Sequence, residues 1–324
     1  MVRIIGVVSG KGGVGKTTVV ANLGATLSNN FKKDVIIVDC NITTSHLGLY
    51  IGMYYCPVTL NDVLSGRAEI KTAIYEHLSG LRLIPASLSL EDLKGVDITK
   101  LRDALNKLTS IFGKTDIILL DAAPGLGREA LATLKASDEV IFVTTPYVPS
   151  IVDIIKCKQI AEESNVKSLG IVLNMAFKEK HELTVKEVEE LTELPVIATI
   201  PFDKEVLRSL SIRVPVVLLN EKSRASKEII KLAGILIGEE IKKPNFFEWL
   251  SNIFKPKPKP SRIEEIKTTL MMPEQKIQVL EEKLEETEMP KKTEIKEEIK
   301  KIPKVIEEEK IQKKRKRSKS KKKR

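Results

Sequence analysis

Aromatic residues make up only 4% of the 324-residue chain, which has a single tryptophan. Cysteine is scarce too: Cys40, Cys56 and Cys157 lie far apart and form no CxxC pair. That excludes a disulfide framework and argues against a zinc or iron–sulfur site. In their apolar surroundings the three read as small core fillers in a reducing cytosol. No run approaches 18 consecutive apolar residues, so no segment is long enough to cross a bilayer. The chain enters a strand-like run at residues 2–8 without a signal-peptide pattern, as expected of a cytoplasmic protein. It has no internal repeat.

Acidic and basic residues cancel over most of the chain. Residues 1–254 hold 30 of each sign, whereas residues 255–324 hold 24 Lys/Arg and 14 Asp/Glu and carry the whole net charge of +10. Ten of the twelve residues 313–324 are Lys or Arg. This run lacks the interleaved aromatics that read bases, so nucleic acid, anionic lipid or an acidic partner could all engage it, and a plain solvated tail is as good a reading.

What is present is a large aliphatic core, with 42% of residues hydrophobic. Apolar β-branched runs at 4–9, 35–39, 81–85, 116–121, 139–144, 168–173 and 196–200 alternate with helical patterns at 17–28, 98–112, 151–163, 185–192 and 222–241. Continuous runs such as Ile117-Ile118-Leu119-Leu120 suit strands buried on both faces. The alternation predicts βαβ units: an α/β, doubly wound, mostly parallel sheet of P-loop NTPase type. Three parts are expected: a nucleotide-binding domain over 1–242, an amphipathic helix over 243–255, and a charged, largely disordered tail over 256–324. In the tail, alternating Lys and Pro at 255–260 form an extended spacer. Ile277, Leu280 and Leu284 are spaced for one short helical stripe, with a coiled coil as the sharper alternative.

Ser9-Gly10-Lys11-Gly12-Gly13-Val14-Gly15-Lys16-Thr17-Thr18 follows the first strand and opens a helix. Residues Gly10 to Thr17 match GxxxxGK[ST] in the structural context that the motif requires. Its glycines let backbone N–H groups turn toward phosphates, and the helix start adds free donors and the positive end of the dipole. Lys16 is expected to reach the β- and γ-phosphates, Thr17 to ligate Mg²⁺, and Thr18 to bond a phosphate nearer the base.

Lys11 is a second lysine that a single-chain P-loop does not need. K-G-G-x-G-K-[ST]-T resembles the deviant Walker A loop of the MinD/ParA family of ATPases, and further matches extend over residues 1–240. The Leu47-Gly48-Leu49 and 57–64 stretches look like the archaeal MinD branch. The resemblance implies ATP and Mg²⁺ as cofactors. It implies that Lys11 crosses to the phosphates of a second copy, so that ATP binding and homodimer formation are one event. Asp121-Ala122-Ala123-Pro124-Gly125 sits as a Walker B motif, with Asp121 ordering the metal shell. Asn174 matches the family's adenine-reading Asn, and Pro201-Phe202-Asp203 the loop over the adenine. Asp39 begins the family's Asp-x-Asp, but the second Asp, linked to positioning the attacking water, is Asn41 here. An amide can bond a water but cannot take its proton, so slow hydrolysis, or an ATP-bound scaffold without turnover, is expected.

Residues 245–254 place six apolar side chains, Phe246, Phe247, Trp249, Leu250, Ile253 and Phe254, within about 160° of a helical wheel. Lysines flank them. The pattern, and its resemblance in position and length to the family's membrane-targeting helix, suggests a helix lying on an anionic membrane. Docking on the core or in a protein groove are the alternatives. The reading is an ATP-dependent switch moving between the cytoplasm and the inner face of the cell membrane, positioning division machinery or a polar assembly through an unknown protein cargo or activator. The rival is a ParA-like DNA-partition ATPase, and residues 1–254 lack the basic excess it would use. A metal-cluster carrier of the same superfamily is disfavoured by the missing paired cysteines.

Overall fold

The computed structural model describes residues 2–111 and 115–239, within the first of two units, Met1–Pro258, into which the chain divides. The aromatic stretch at 245–254 and the tail at 256–324 lie outside the described residues.

Eight strands form one sheet: β1 (Arg3–Val8), β2 (Val35–Asp39), β3 (Tyr75–Glu76), β4 (Arg82–Ile84), β5 (Ile117–Asp121), β6 (Glu139–Thr144), β7 (Lys167–Ala176) and β8 (Val196–Pro201). Their order is β3-β4-β2-β5-β1-β6-β7-β8. Every neighbouring pair is parallel except β3 with β4. All seven expected strands are present. The eighth, β3, is two residues long and antiparallel, too short to leave a periodic signal.

The sheet is covered on both faces because each central strand divides its side chains between two cores. Ile5 and Val7, Val35 and Ile37, and Ile117 and Leu119 enter one cluster, with Leu23 and Leu27 of α1 (Lys16–Asn29) and Ile229 and Leu232 of the last described helix, Arg224–Ile237. Ile4, Ile36, Val38, Ile118 and Leu120 enter the other, with Leu101, Leu105 and Leu108 of the helix Leu101–Ile111. The two-residue period of a strand does the sorting, which is why these runs carry no polar position. Burying residues such as Leu23 or Ile37, both at 0% exposure, contributes about 1.5–3 kcal/mol each.

The remaining α-helices, in chain order, are α2 (Leu47–Tyr50), α3 (Leu60–Leu64), α4 (the Leu101–Ile111 helix), α5 (Arg128–Ala136), α6 (Val148–Glu163), α7 (Val185–Thr192), α8 (Lys204–Ile212), α9 (Val216–Leu219) and α10 (the Arg224–Ile237 helix). The pattern at 98–112 splits into a 3-10 turn, Ile98–Lys100, and α4, because Asp97 caps the turn by accepting the Thr99 N–H at 3.1 Å. The pattern at 222–241 starts later than expected, where the Ser223 hydroxyl accepts the Ser226 N–H at 3.1 Å, and its last described turn ends at Gly238 with φ +74°. Strand order reverses between β1 and β6, and β1 delivers its C-terminal end to that switch point, where open α/β sheets gather ligands.

Candidate functional site

The loop between β1 and α1 is shaped by glycines. Gly13 and Gly15 have φ of +79° and +83°, a region that side chains with a Cβ enter only with strain. A Cβ on Gly15 would also lie 2.2 Å from Asn174 Nδ2. The Gly15 carbonyl accepts the Val19 N–H at 3.0 Å, and no side chain caps α1. Its first-turn N–H groups thus form a ready anion site at the positive end of the helix dipole. The loop borders a cavity of about 240 Å³ whose lining includes Lys11, Lys16, Thr17, Asn41, Thr44 and His46. Gly10, Gly12, Val14 and Thr18 complete the predicted loop, with Gly12 packed near Pro124 across the site.

Beneath the cavity lies a buried charged cluster. Lys16 Nζ donates to Asp121 Oδ1 at 2.5 Å, with the two residues only 6% and 1% exposed. Asp121 ends β5 and Asp39 ends β2, directly beside it in the ladder. Burial, reinforced by the neighbouring Asp121 charge, pushes the Asp39 carboxyl up to about 7, against opposing hydrogen bonds from Ser45 and Leu47 and the Lys16 charge. Asp39 faces the loop that follows it. Its Oδ2 accepts from Ser45 Oγ at 2.8 Å and from the His46 and Leu47 N–H groups at 3.1 Å each, and its Oδ1 accepts the Asn41 N–H at 3.1 Å. Asp39, expected as catalytic, is fully buried and anchors residues 41–47.

Asn41 does reach the cavity, but both ends of its amide are engaged. Nδ2 donates to the Thr44 carbonyl at 2.8 Å, and Oδ1 accepts from Thr44 Oγ1 at 3.0 Å. Next to it, Thr43 Oγ1 donates to Glu129 Oε1 in the first turn of α5. The other Glu129 oxygen is buried without a partner. The loop after β2 is thereby tied to the helix that follows Asp121. A second link joins the same region to the phosphate loop: the Gly125 N–H donates to the Ser9 carbonyl at 3.0 Å.

The expected base-reading residues lie on the far side of the phosphate loop. Asn174, near the end of β7 and 6% exposed, donates from Nδ2 to the Val14 carbonyl at 2.8 Å. Pro201 closes β8. Asp203 caps α8 by accepting the Glu205 N–H at 3.0 Å and holds the start of α10 by accepting the Ala225 N–H at 3.1 Å. Burial works against its charge, but the bonds from Glu205, Ala225 and Ser223 win and hold the carboxyl below the usual range. Phe177 and Phe202 stack at 4.7 Å between centroids.

Cys40 and Cys157 are core residues, and burial pushes the Cys40 thiol up and the Cys157 thiol up to about 12, whereas Cys56, expected as a third core filler, is half-buried at the edge of a surface groove. Among the described residues no group of three or more His, Cys, Asp or Glu could hold a metal ion by itself. A magnesium ion accompanying a nucleotide needs few protein oxygens, and the Thr17 hydroxyl at the cavity and the Asp121 carboxylate beneath it are the residues that would hold one. Reading along the sequence passes over Thr43, Ser45, His46 and Glu129. The trace they leave is short polar residues between a strand ending in Asp and a helix start, a composition favourable to side-chain-to-backbone bonding but silent about its targets.

A glycine-shaped phosphate loop between a strand and a helix, with a lysine–aspartate pair buried under it, defines a P-loop nucleotide-binding protein. The family profile described as "ParA: NUBPL iron-transfer P-loop NTPase" matches residues 1–237. The chain belongs to the ParA/MinD family of P-loop NTPases, a membership that implies ATP hydrolysis in general. An uncharacterised ATP-binding protein of Methanocaldococcus jannaschii is 37% identical over 238 residues, covering 74% of this chain and 89% of its own. The septum site-determining protein MinD of Thermotoga maritima is 30% identical, covering 78% of this chain and 94% of its own. The structure of MinD complexed with Mg-ADP from Pyrococcus horikoshii superimposes with a TM-score of 0.70 at 31% identity, covering 75% of this chain and all of that one.

Proposed function

We propose that the chain is an ATP-driven dimerising switch that hydrolyses ATP and moves between the cytoplasm and the inner face of the cell membrane. The observation that supports it most is Lys11. It is exposed at the rim of the phosphate cavity, and its ammonium has no hydrogen-bond or ion-pair partner among the described residues. Lys16 already supplies the in-cis lysine. A charge held free at the edge of the site suits phosphates bound by a second copy, in the manner of a charge donor supplied in trans.

Thr17 and Asp121 would hold the magnesium ion, which supplies charge neutralisation at the phosphates. Lys16 leaves Asp121 for the β- and γ-phosphates. The first-turn N–H groups of α1 orient the phosphate chain. Asn174, Pro201 and Asp203 would border the base. Dimerisation pairs two copies of the 245–254 segment, so two weak membrane contacts act together and membrane residence follows nucleotide state. A solved MinC:MinD cell division protein complex of Aquifex aeolicus matches this chain at 27% identity. By analogy, this switch recruits a protein cargo to the membrane.

Size-exclusion chromatography with light scattering tests the switch. ATP gives a dimer and ADP a monomer, and Lys11→Ala keeps nucleotide binding while abolishing the dimer. A Lys11→Ala dimer of undiminished affinity would overturn the reading. Sedimentation with anionic vesicles tests the membrane step, which requires Trp249→Glu and Phe254→Glu to stop pelleting. A second reading, an ATP-bound scaffold without turnover, is favoured by the Asn41 amide, which is locked onto Thr44. Phosphate release separates the two.

A further inference from the structure

The phosphate cavity lacks a carboxylate. Among its described lining residues, Lys11 and Lys16 bear amine groups that act as donors, and Ser9, Thr17, Thr44 and Tyr50 bear only hydroxyls. Asn41 stands where a carboxylate would serve, and an amide has no basic lone pair to offer. Asp39 and Asp121 are close, but both are buried beneath the cavity and engaged, Asp39 with the 41–47 loop and Asp121 with Lys16. One described lining residue remains whose side chain carries a ring nitrogen able to accept a proton: His46.

His46 is exposed, and its imidazole has no hydrogen-bond partner among the described residues. Its backbone is fixed. The N–H donates to Asp39 Oδ2 at 3.1 Å, and the carbonyl accepts the Tyr50 N–H at 3.3 Å at the start of α2. A buried carboxylate therefore sets the position of a residue whose ring is left free, the arrangement expected of a side chain kept for use rather than for packing. The charged and titratable groups around it are Lys11 and Lys16 across the cavity, Tyr50 one turn on, Asp39 beneath its backbone, and Tyr54, Tyr55, Cys56 and Asp92 in the adjoining groove that His46 also lines.

We propose that His46 is the catalytic residue that accepts the proton of the attacking water in ATP hydrolysis, in place of the carboxylate that Asn41 lacks. The inference rests on the hydrolytic reading above. The water oxygen forms a bond to the γ-phosphorus as the bond from that phosphorus to the bridging oxygen of the departing diphosphate breaks. The water proton passes to an imidazole nitrogen and then to solvent. Asn41, held by Thr44, keeps the water-facing edge of the loop in place without taking part in proton transfer.

The test is steady-state phosphate release by the full chain carrying His46→Ala or His46→Gln. The expected result is a fall in kcat of about a hundredfold or more, the low end for a general base, with the KM for ATP and the ATP-dependent dimer retained. The acid limb of the kcat profile, in the range between about pH 5 and 8 where imidazoles change charge, is present in the unaltered chain and absent from His46→Gln. Added imidazole restores turnover to His46→Ala, and the loss shrinks when His46→Ala is placed on Asn41→Asp, because a carboxylate again competes for the proton. Unchanged kcat in His46→Ala overturns this inference alone. So does a loss that neither imidazole nor Asn41→Asp relieves, which would assign His46 a structural role. A full chain that binds ATP and releases no phosphate overturns the hydrolytic reading and this inference together.

Discussion

The two halves of the nucleotide site are built on different terms. On the phosphate side, the recognition elements are backbone groups, set by Gly13, Gly15 and the start of α1, which no side chain caps. On the base side, recognition would have to come from side chains, and those are already engaged: Asn174 on the Val14 carbonyl, Asp203 on two helix starts, Phe177 on Phe202. A backbone cradle depends on dihedral angles that a contiguous motif dictates. A side-chain pocket depends on partners brought together from β7, β8 and α10. The phosphate half should therefore bind with little rearrangement, and the base half only by exchanging existing bonds.

The comparison breaks most visibly at Lys16. Lys16→Ala should abolish detectable nucleotide binding and also destabilise the fold by about 3–5 kcal/mol, because Asp121 is left buried without its cation. Denaturant unfolding beside binding of a fluorescent nucleotide reads both losses. Gly15→Ala comes next. A left-handed conformation at a non-glycine residue costs about 1–3 kcal/mol, and the clash with Asn174 Nδ2 adds to it. Binding should fall at least about tenfold, the equivalent of 1.4 kcal/mol. Asn174→Ala should relieve the clash without curing the strain, so the double variant binds better than Gly15→Ala alone.

Smaller effects belong to the bonds between elements. Thr43→Val should lower stability by about 1 kcal/mol. Combined with Glu129→Ala it should cost no more than either change alone, since both remove the same bond. Additive losses in thermal melts would show that Thr43 and Glu129 act separately. Asp203→Ala removes a cap and should cost about 1 kcal/mol. Because the folded carboxyl is held below its usual range, this stability is present above the unfolded value and is lost as pH falls through the folded one. The difference in melting temperature between the natural chain and the variant should therefore narrow toward acid. If nucleotide affinity falls far more than stability, Asp203 reads the base as well as capping the helices.

The same contrast explains what was legible in the sequence. The seven longer strands and the phosphate loop follow from local rules: apolar runs such as Val35–Asp39, and a glycine pattern between strand and helix. The contiguous loop motif also carried Lys16 and Thr17 to their places. The position of Asp39 was legible but its bonding was not, because the partners of its carboxylate, Ser45, His46 and Leu47, are chosen by a loop fold that no periodicity announces. Glu129 was invisible for the same reason. It lies 86 residues from Thr43, and only the juxtaposition of β2 with β5 brings them together. β3 left no trace because two residues cannot show alternation.

The bond between Lys16 and Asp121 has one more consequence, which concerns the order and mutual dependence of ligands rather than their recognition. The two side chains neutralise each other in a place with almost no water. In the proposed roles, Lys16 on phosphate and Asp121 on the metal, each would turn to its ligand only by abandoning the other. A nucleotide without its metal would draw Lys16 away and strand a buried carboxylate, whereas a metal without its nucleotide would strand a buried ammonium. Nucleotide and metal together satisfy both ends in a single exchange. In those roles the pair would work as a logical AND: by linkage, each ligand would tighten the binding of the other by the same factor.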